Sequence, residues 1–184
     1  DAGTDGSNKN VMDFITIAST GNATDFGDLS NSTNNGAGNS DGHGGLDGST
    51  ITVNGNRGFF VSGTDGTAIQ TVLMTSTGNA SDFADLPINQ QSNQNGGTSS
   101  STRGLMSGGY NAPASINNIS YWTMASLGNA IDFGDLTQAR RRGTGVSSNT
   151  RSVLMAGIQP GSSKTNVIDF VTIASTGNAT DFGD

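Results

Sequence analysis

Apolar residues recur along this chain in four short runs, 11–18, 68–75, 118–125 and 167–174, separated by stretches of Gly, Ser, Thr, Asn and Asp. Aligned on one another, the runs form columns. One reads Met12, Ile69, Ile119, Ile168; a second Ile15, Val72, Trp122, Val171; a third Ile17, Met74, Met124, Ile173; and a fourth Phe14, Thr71, Tyr121, Phe170. On an extended chain residues 15 and 17 share one face and residues 12 and 14 the other, so both faces are largely apolar. Over about eight residues, that pattern predicts a strand held between two layers rather than a helix, with the columns through Ile15 and Ile17 buried.

Each run leads into the same motif, which begins at Gly21, Gly78, Gly128 and Gly177 and reads Gly-Asn-Ala-x-Asp-Phe-Gly-Asp-Leu with small changes. The spacings between copies are 57, 50 and 49 residues. A period near fifty marks a repeat architecture, in which each unit buries its apolar face only by stacking on a neighbour. Gly-Asn predicts a turn. Asp25, Phe26 and Asp28, then Asp82, Phe83 and Asp85, then Asp132, Phe133 and Asp135 are structural positions of a short buried segment that ends at Leu29, Leu86 and Leu136. A third element, an Arg, a small residue and two or three apolar residues, starts at Arg57, Arg103 and Arg151 and predicts another strand. Weak strands fit at 98–101 and 143–148. Four short strands per repeat is the count of a propeller blade. The chain divides into units of 1–56, 57–102, 103–150 and 151–184 within a single repeat domain. The longer interval Asn31 to Ser49 reads as a protruding loop.

Composition narrows this picture. With 32% apolar residues and 28 glycines, the core is thin and spread along the array. Net charge is −7 and every acidic residue is Asp, a residue of turns rather than helix interiors. A nucleic-acid partner is disfavoured, because the sole basic cluster is Arg140, Arg141 and Arg142, which reads as a solvated loop. There is no cysteine to build a disulfide framework or a thiolate metal site, and no apolar run approaches a membrane span. The chain starts without Met and stops inside a repeat, as a processed product or a segment of a longer protein would. Both ends carry the same half of the repeat, so they cannot complete one another by strand exchange. A self-closed monomeric ring is therefore not expected.

The third unit, with Gly108-Gly109-Tyr110, Tyr121-Trp122, Arg141-Arg142-Gly143 and Arg151 to Met155, resembles a kelch repeat. Ile-Ala-Ser-Thr-Gly-Asn-Ala-Thr-Asp-Phe-Gly-Asp-Leu followed by an Arg-led strand is similar to the kelch-like repeats of tail-fibre and other virion proteins of tailed phages, especially marine ones. The resemblance implies an all-β fold of kelch-like β-propeller blades of about 50 residues each, part of a larger or oligomeric assembly. It implies a structural or host-recognition component of an extracellular assembly, a phage tail fibre or other virion appendage. Its partners would be copies of itself, other virion proteins or a cell-surface glycan, with no enzymatic activity. The alternatives are a secreted bacterial carbohydrate-binding propeller and a fragment of a galactose-oxidase-type enzyme. The copper site of the latter needs Tyr, His and Cys together, which a chain without Cys cannot supply.

Candidate chemistry is sparse. The Asp-Phe-Gly triplet shares its letters with the metal-holding triplet of protein kinases, but recurrence once per repeat makes it structural. His43, the one histidine, lies in the segment Asn39 to Asp47, whose Asn39, Asp41, His43 and Asp47 are the candidate ligand-binding residues. Neither they nor Asp1 and Asp5 have the spacing of a calcium loop, so no metal or cofactor is expected. Asn22, Asn31, Asn79 and Asn178 stand in glycosylation sequons and read as turn asparagines. Arg57, Arg103 and Arg151 are expected to pair with Asp28, Asp85 and Asp135, or to reach a strand-end carbonyl in their own or the adjacent repeat.

Overall fold

The computed structural model of the chain describes residues 9–33, 37–40, 56–61, 67–90 and 96–184. Among these residues the fold is all-β, with four antiparallel sheets and a single 3₁₀ turn at Pro160–Ser162. Strands β1 (Lys9–Phe14) and β2 (Thr24–Thr33) form a two-stranded sheet. Three four-stranded meanders follow. The second sheet holds β3 (Ala37–Ser40), β4 (Arg57–Val61), β5 (Ala68–Leu73) and β6 (Ser81–Asp85). The third holds β7 (Gly97–Ser99), β8 (Arg103–Asn111), β9 (Ala114–Thr123) and β10 (Ile131–Asp135). The fourth holds β11 (Thr144–Ser147), β12 (Arg151–Met155), β13 (Ile168–Thr172) and β14 (Thr180–Gly183).

The four apolar runs form the equivalent strands β1, β5, β9 and β13, and the Arg-led segments form β4, β8 and β12. The weak Gly, Ser and Thr segments form β7 and β11 and join the Arg-led strand that follows them. Each four-stranded sheet therefore starts one strand ahead of the units drawn from the arginines.

The last part of the motif is the fourth strand of its sheet, and its pairing explains why Asp-Phe-Gly recurs. Asp13 pairs with Asp25 but Met12 with Gly27; Gln70 with Asp82 but Ile69 with Ala84; Ser120 with Asp132 but Ile119 with Gly134; Asp169 with Asp181 but Ile168 with Gly183. In all four copies Phe is the extra residue of a β-bulge, the device that re-aims a side chain. Phe83 and Phe133 are buried in this way. Edge-to-face ring pairs form for Phe14 with Phe26, Phe59 with Phe83, Tyr121 with Phe133 and Phe170 with Phe182.

The core lies between sheets, not within them. One cluster joins Phe59, Val61, Ile69, Phe83 and Leu86 of the second sheet and its flank to Met106, Trp122, Met124 and Ala130 of the third. The other joins Leu105, Ile119, Phe133 and Leu136 to Leu154, Val171 and Ile173 of the fourth. A fully buried side chain of this size contributes roughly 1.5–3 kcal/mol.

Two expectations are corrected here. The columns through Ile15 and Ile17 are buried at Val72, Trp122, Val171, Met124 and Ile173, whereas Ile15, Ile17 and Met74 are exposed. Trp122 and Met124 are covered by the second sheet and Val171 and Ile173 by the third, whereas among the described residues the sheet on which Met74 would pack has two strands. The interval Asn31 to Ser49 is not one protruding loop, because 31–33 continue β2, 37–40 are β3, and Ala37 belongs to the first core cluster. Small side chains in β3 let it lie beside β7, where the Asn39 amide donates to the Thr98 carbonyl and the Ser99 hydroxyl to the Ser40 carbonyl.

Candidate functional site at the repeat junctions

The Gly-Asn-Ala turns at 78–80, 128–130 and 177–179 dock on the Phe-Gly-Asp or Phe-Ala-Asp strand of the repeat before. At the first junction Gly78 N–H donates to the Phe26 carbonyl at 2.8 Å, Ala80 N–H to the Asp28 carbonyl at 2.7 Å, and the Asn79 Oδ1 accepts the Asp28 N–H at 3.1 Å. At the third, Gly177 N–H donates to Phe133 at 2.8 Å, Ala179 N–H to Asp135 at 2.7 Å, and Asn178 Oδ1 accepts the Asp135 N–H at 3.0 Å. The middle junction keeps Ala130 N–H to Asp85 and Asp85 N–H to Asn129 Oδ1, but the Gly128 to Phe83 bond is missing. Its cause is local. Gly134 and Gly27 have φ of 145° and 147°, and a Cβ on either would lie 2.4 Å from the carbonyl oxygen of the docking glycine; the middle copy carries Ala84 there. Asn79 and Asn178, read as turn residues, thus serve as inter-repeat acceptors, and the motif is a head and a tail that fit each other.

The recurring arginines add a second link. Arg57 Nη1 donates to the Met124 carbonyl at 3.1 Å and Arg103 Nη1 to the Ile173 carbonyl at 2.8 Å, in each case the strand-end carbonyl of the following sheet. Arg103 also stacks on Tyr121 at 4.6 Å, and Arg151 on Phe170 at 4.5 Å. Among the described residues the expected pairing with Asp28, Asp85 and Asp135 does not occur. Those residues are engaged through their backbone in the docking, and the guanidinium instead spans the junction to a carbonyl whose lone pair no strand uses.

A third link escaped the sequence reading. Within the apolar runs, Gln70, Ser120 and Asp169 occupy one column and are buried. Gln70 Oε1 accepts the Ser30 N–H, and Ser120 bonds Gln90, which lies four residues after Leu86. Asp169 meets Arg140, four residues after Leu136, at 2.8 Å, with exposures of 0% and 3%. Thr137 donates its N–H and hydroxyl to the same carboxylate, and Arg140 also reaches the Leu154 and Val167 carbonyls. Burial lowers the Arg140 pKa from its ordinary value, outweighing the attraction of Asp169 and the hydrogen bond to it. The signal available in the sequence was a polar residue at a fixed place in each apolar run. The solvated-loop reading of Arg140 to Arg142 is corrected accordingly: Arg140 is core, and Arg141 stacks on Tyr110 at 5.0 Å and donates to the Ser115 hydroxyl.

Of the candidate ligand-binding residues, Asn39 is a strand residue facing β7, while Asp41, His43 and Asp47 lie outside the described residues, as do Asp1 and Asp5. Among the described residues no group of three or more His, Cys, Asp or Glu could hold a metal ion, and no helix is long and apolar enough to cross a membrane. Two clefts open at the junctions. One of about 560 Å³ is lined by Arg57, Thr71, Asn79, Asp82 and Leu127, and one of about 440 Å³ by Met12, Phe14, Phe26, Phe60, Val72 and Met74. No protein-family model matches the chain, and no curated protein matches its sequence.

Proposed function

We propose that the chain is a run of kelch-like propeller blades serving as a structural or host-recognition part of an extracellular assembly, a phage tail fibre or other virion appendage. The observation that carries this reading is the junction. The Ala N–H and Asn Oδ1 bonds of the head-to-tail docking recur at all three described junctions, so these repeated residues link repeats, as a scaffold requires. Each four-stranded meander has the strand order of a blade, and the small residues of β7 and β11 suit close approach of neighbouring sheets, as in a propeller. Its partners are copies of itself, other virion proteins or a cell-surface glycan, and it performs no catalysis.

The test is immunogold labelling of tailed particles from the source culture with antibody raised against the chain. Label confined to an appendage is the expected result; particles free of the protein would overturn the assignment. A second reading, a carbohydrate-binding propeller, draws on the polar cleft with Arg57, Asn79 and Asp82 on its wall. A specific glycan-array hit that is lost in Arg57→Ala and Asp82→Ala would favour it.

A further inference from the structure

We propose that the cleft beside Thr71 seats the ring of a neutral pyranose, with Leu73 and Leu127 as its platform and Asp82 as the acceptor of its hydroxyls. The inference rests on glycan recognition, which both readings above include, and adds the place and the class of sugar.

The cleft is open because the second sheet lacks one ring of the repeat. Equivalent clefts lie where the third strand of a sheet turns into its fourth. The one beside Phe14 measures about 80 Å³, the one beside Tyr121 about 120 Å³, and the one beside Thr71 about 560 Å³, within the roughly 300–1,000 Å³ of small-molecule sites. The column that reads Phe14, Tyr121 and Phe170 elsewhere holds Thr71 here. In the third and fourth sheets the leading arginine lies over that ring, Arg103 over Tyr121 at 4.6 Å and Arg151 over Phe170 at 4.5 Å. Arg57 is the equivalent arginine and lines the open cleft, oriented by its bond to the Met124 carbonyl. The second sheet keeps the arginine and omits the ring.

Two further departures from the repeat stand on the same wall. Leu73 replaces the Thr16, Thr123 and Thr172 of the other runs, and Leu127 replaces the Thr20, Thr77 and Thr176 of the other turns. Both leucines line the cleft, and they are 54% and 78% exposed, so their apolar side chains serve this surface and not the core. A third departure concerns Asp82. Its equivalent Asp132 accepts a hydrogen bond from the Asn118 amide at 2.7 Å, but the place of Asn118 is taken by Ala68, whose methyl group has no donor to offer. Asp82 is exposed on the cleft wall beside Ser81 and Asn79.

This lining decides the class of ligand. An aromatic ring would strip water from a carboxylate and several hydroxyls and return no hydrogen bond to them. A pyranose has an apolar C–H face to lie on the two leucines and a rim of hydroxyls to exchange hydrogen bonds with Asp82, Ser81 and Asn79, the carboxylate bonds being the strong ones. Arg57 and Asp82 put one positive and one negative group on the wall, so an acidic sugar meets the carboxylate and a basic one the guanidinium. A neutral sugar meets neither penalty.

The experiment is saturation-transfer NMR on the chain with the methyl glycosides of glucose, galactose, mannose and N-acetylglucosamine, and with glucuronic acid and glucosamine as charged counterparts. At least one neutral glycoside is expected to bind, and more tightly than either charged sugar. Thr71→Tyr restores the ring of the repeat, so its unfolding midpoint should equal or exceed the parent's while the affinity falls at least about tenfold, the cleft being filled. Leu127→Thr restores the residue of the other turns and should weaken binding about fourfold, the value of one buried methylene. Asp82→Asn should weaken it about tenfold or more, through loss of the charged acceptor. Leu127 and Asp82 are exposed, so these two variants carry the decision even where Thr71→Tyr fails to fold. A parent that binds no neutral glycoside overturns the proposal, and so does preference for a charged sugar. Binding that persists unchanged in Thr71→Tyr, or in both Leu127→Thr and Asp82→Asn, also overturns it, since the sugar then sits elsewhere. That last outcome leaves glycan recognition itself standing, and none of these results bears on the immunogold labelling.

Discussion

Asp169 carries the most concentrated charge interaction among the described residues, a carboxylate with no exposure that takes bonds from Arg140 and from both donors of Thr137. Removing one member of such a pair leaves the other buried and uncompensated, which costs about 3–5 kcal/mol. Asp169→Ala should therefore lower the urea midpoint sharply. The double change Arg140→Met with Asp169→Leu should recover most of that loss, since apolar residues of similar volume commonly replace a buried pair without penalty. If the double variant proved as unstable as the single one, the Thr137 bonds would be the larger contribution. A second residue-scale prediction concerns Gly134. Gly134→Ala puts a methyl against the Gly177 carbonyl and should break the Gly177 to Phe133 bond, as Ala84 accompanies the missing bond one repeat earlier. A loss of about 1–3 kcal/mol in equilibrium unfolding is expected from the lost bond and the backbone strain together.

At the scale of elements, the two acceptor roles of the motif can be separated. Asn178→Ala removes an intrachain bond and should cost about 1 kcal/mol of stability, whereas Asn22→Ala should leave the stability of the isolated chain unchanged within about 0.5 kcal/mol. Denaturant titration of the two variants side by side checks this, and equal losses would contradict the assignment of head and tail. The strand β3 supplies another test. It pairs with β4, contributes Ala37 to the core and bonds β7 through Asn39 and Ser99. Excising 37–40 should thus remove amide protection from β4 and from the β3-facing side of β7. A loop excision would leave both protected, so hydrogen exchange distinguishes the two cases.

For the whole molecule, stability is a sum over sheets and junctions rather than a property of one central core. The third sheet is packed on both faces, by the cluster around Phe59 and Trp122 and by the cluster around Leu105 and Val171. Among the described residues the first sheet has two strands, and Ile15 and Ile17, just beyond β1, are exposed. Amide exchange should accordingly be slowest in β8 and β9 and fastest in β1 and β2, with unfolding that starts from the first sheet. Uniform protection across all four sheets would show that the array behaves as a single cooperative unit.

Local periodicity in the sequence was enough to locate the apolar strands and their repeat of about fifty residues, because alternation and recurrence are properties of the chain itself, but it missed β3, whose Ala-Gly-Asn-Ser carries no apolar alternation. It also located the Arg-led strands and the weak strands at 98–101 and 143–148. What it could not decide was what each repeated polar residue touches. Asn79 and Asn178 looked like turn residues, and Arg140 looked like solvent-facing charge, because a hydrogen-bond partner about fifty or thirty residues away leaves no mark on the local pattern. The same holds for Ile15 and Ile17, whose apolar character is that of a core column although both are exposed. Which end of a junction is filled depends on the placement of neighbouring sheets, and only the tertiary structure decides it.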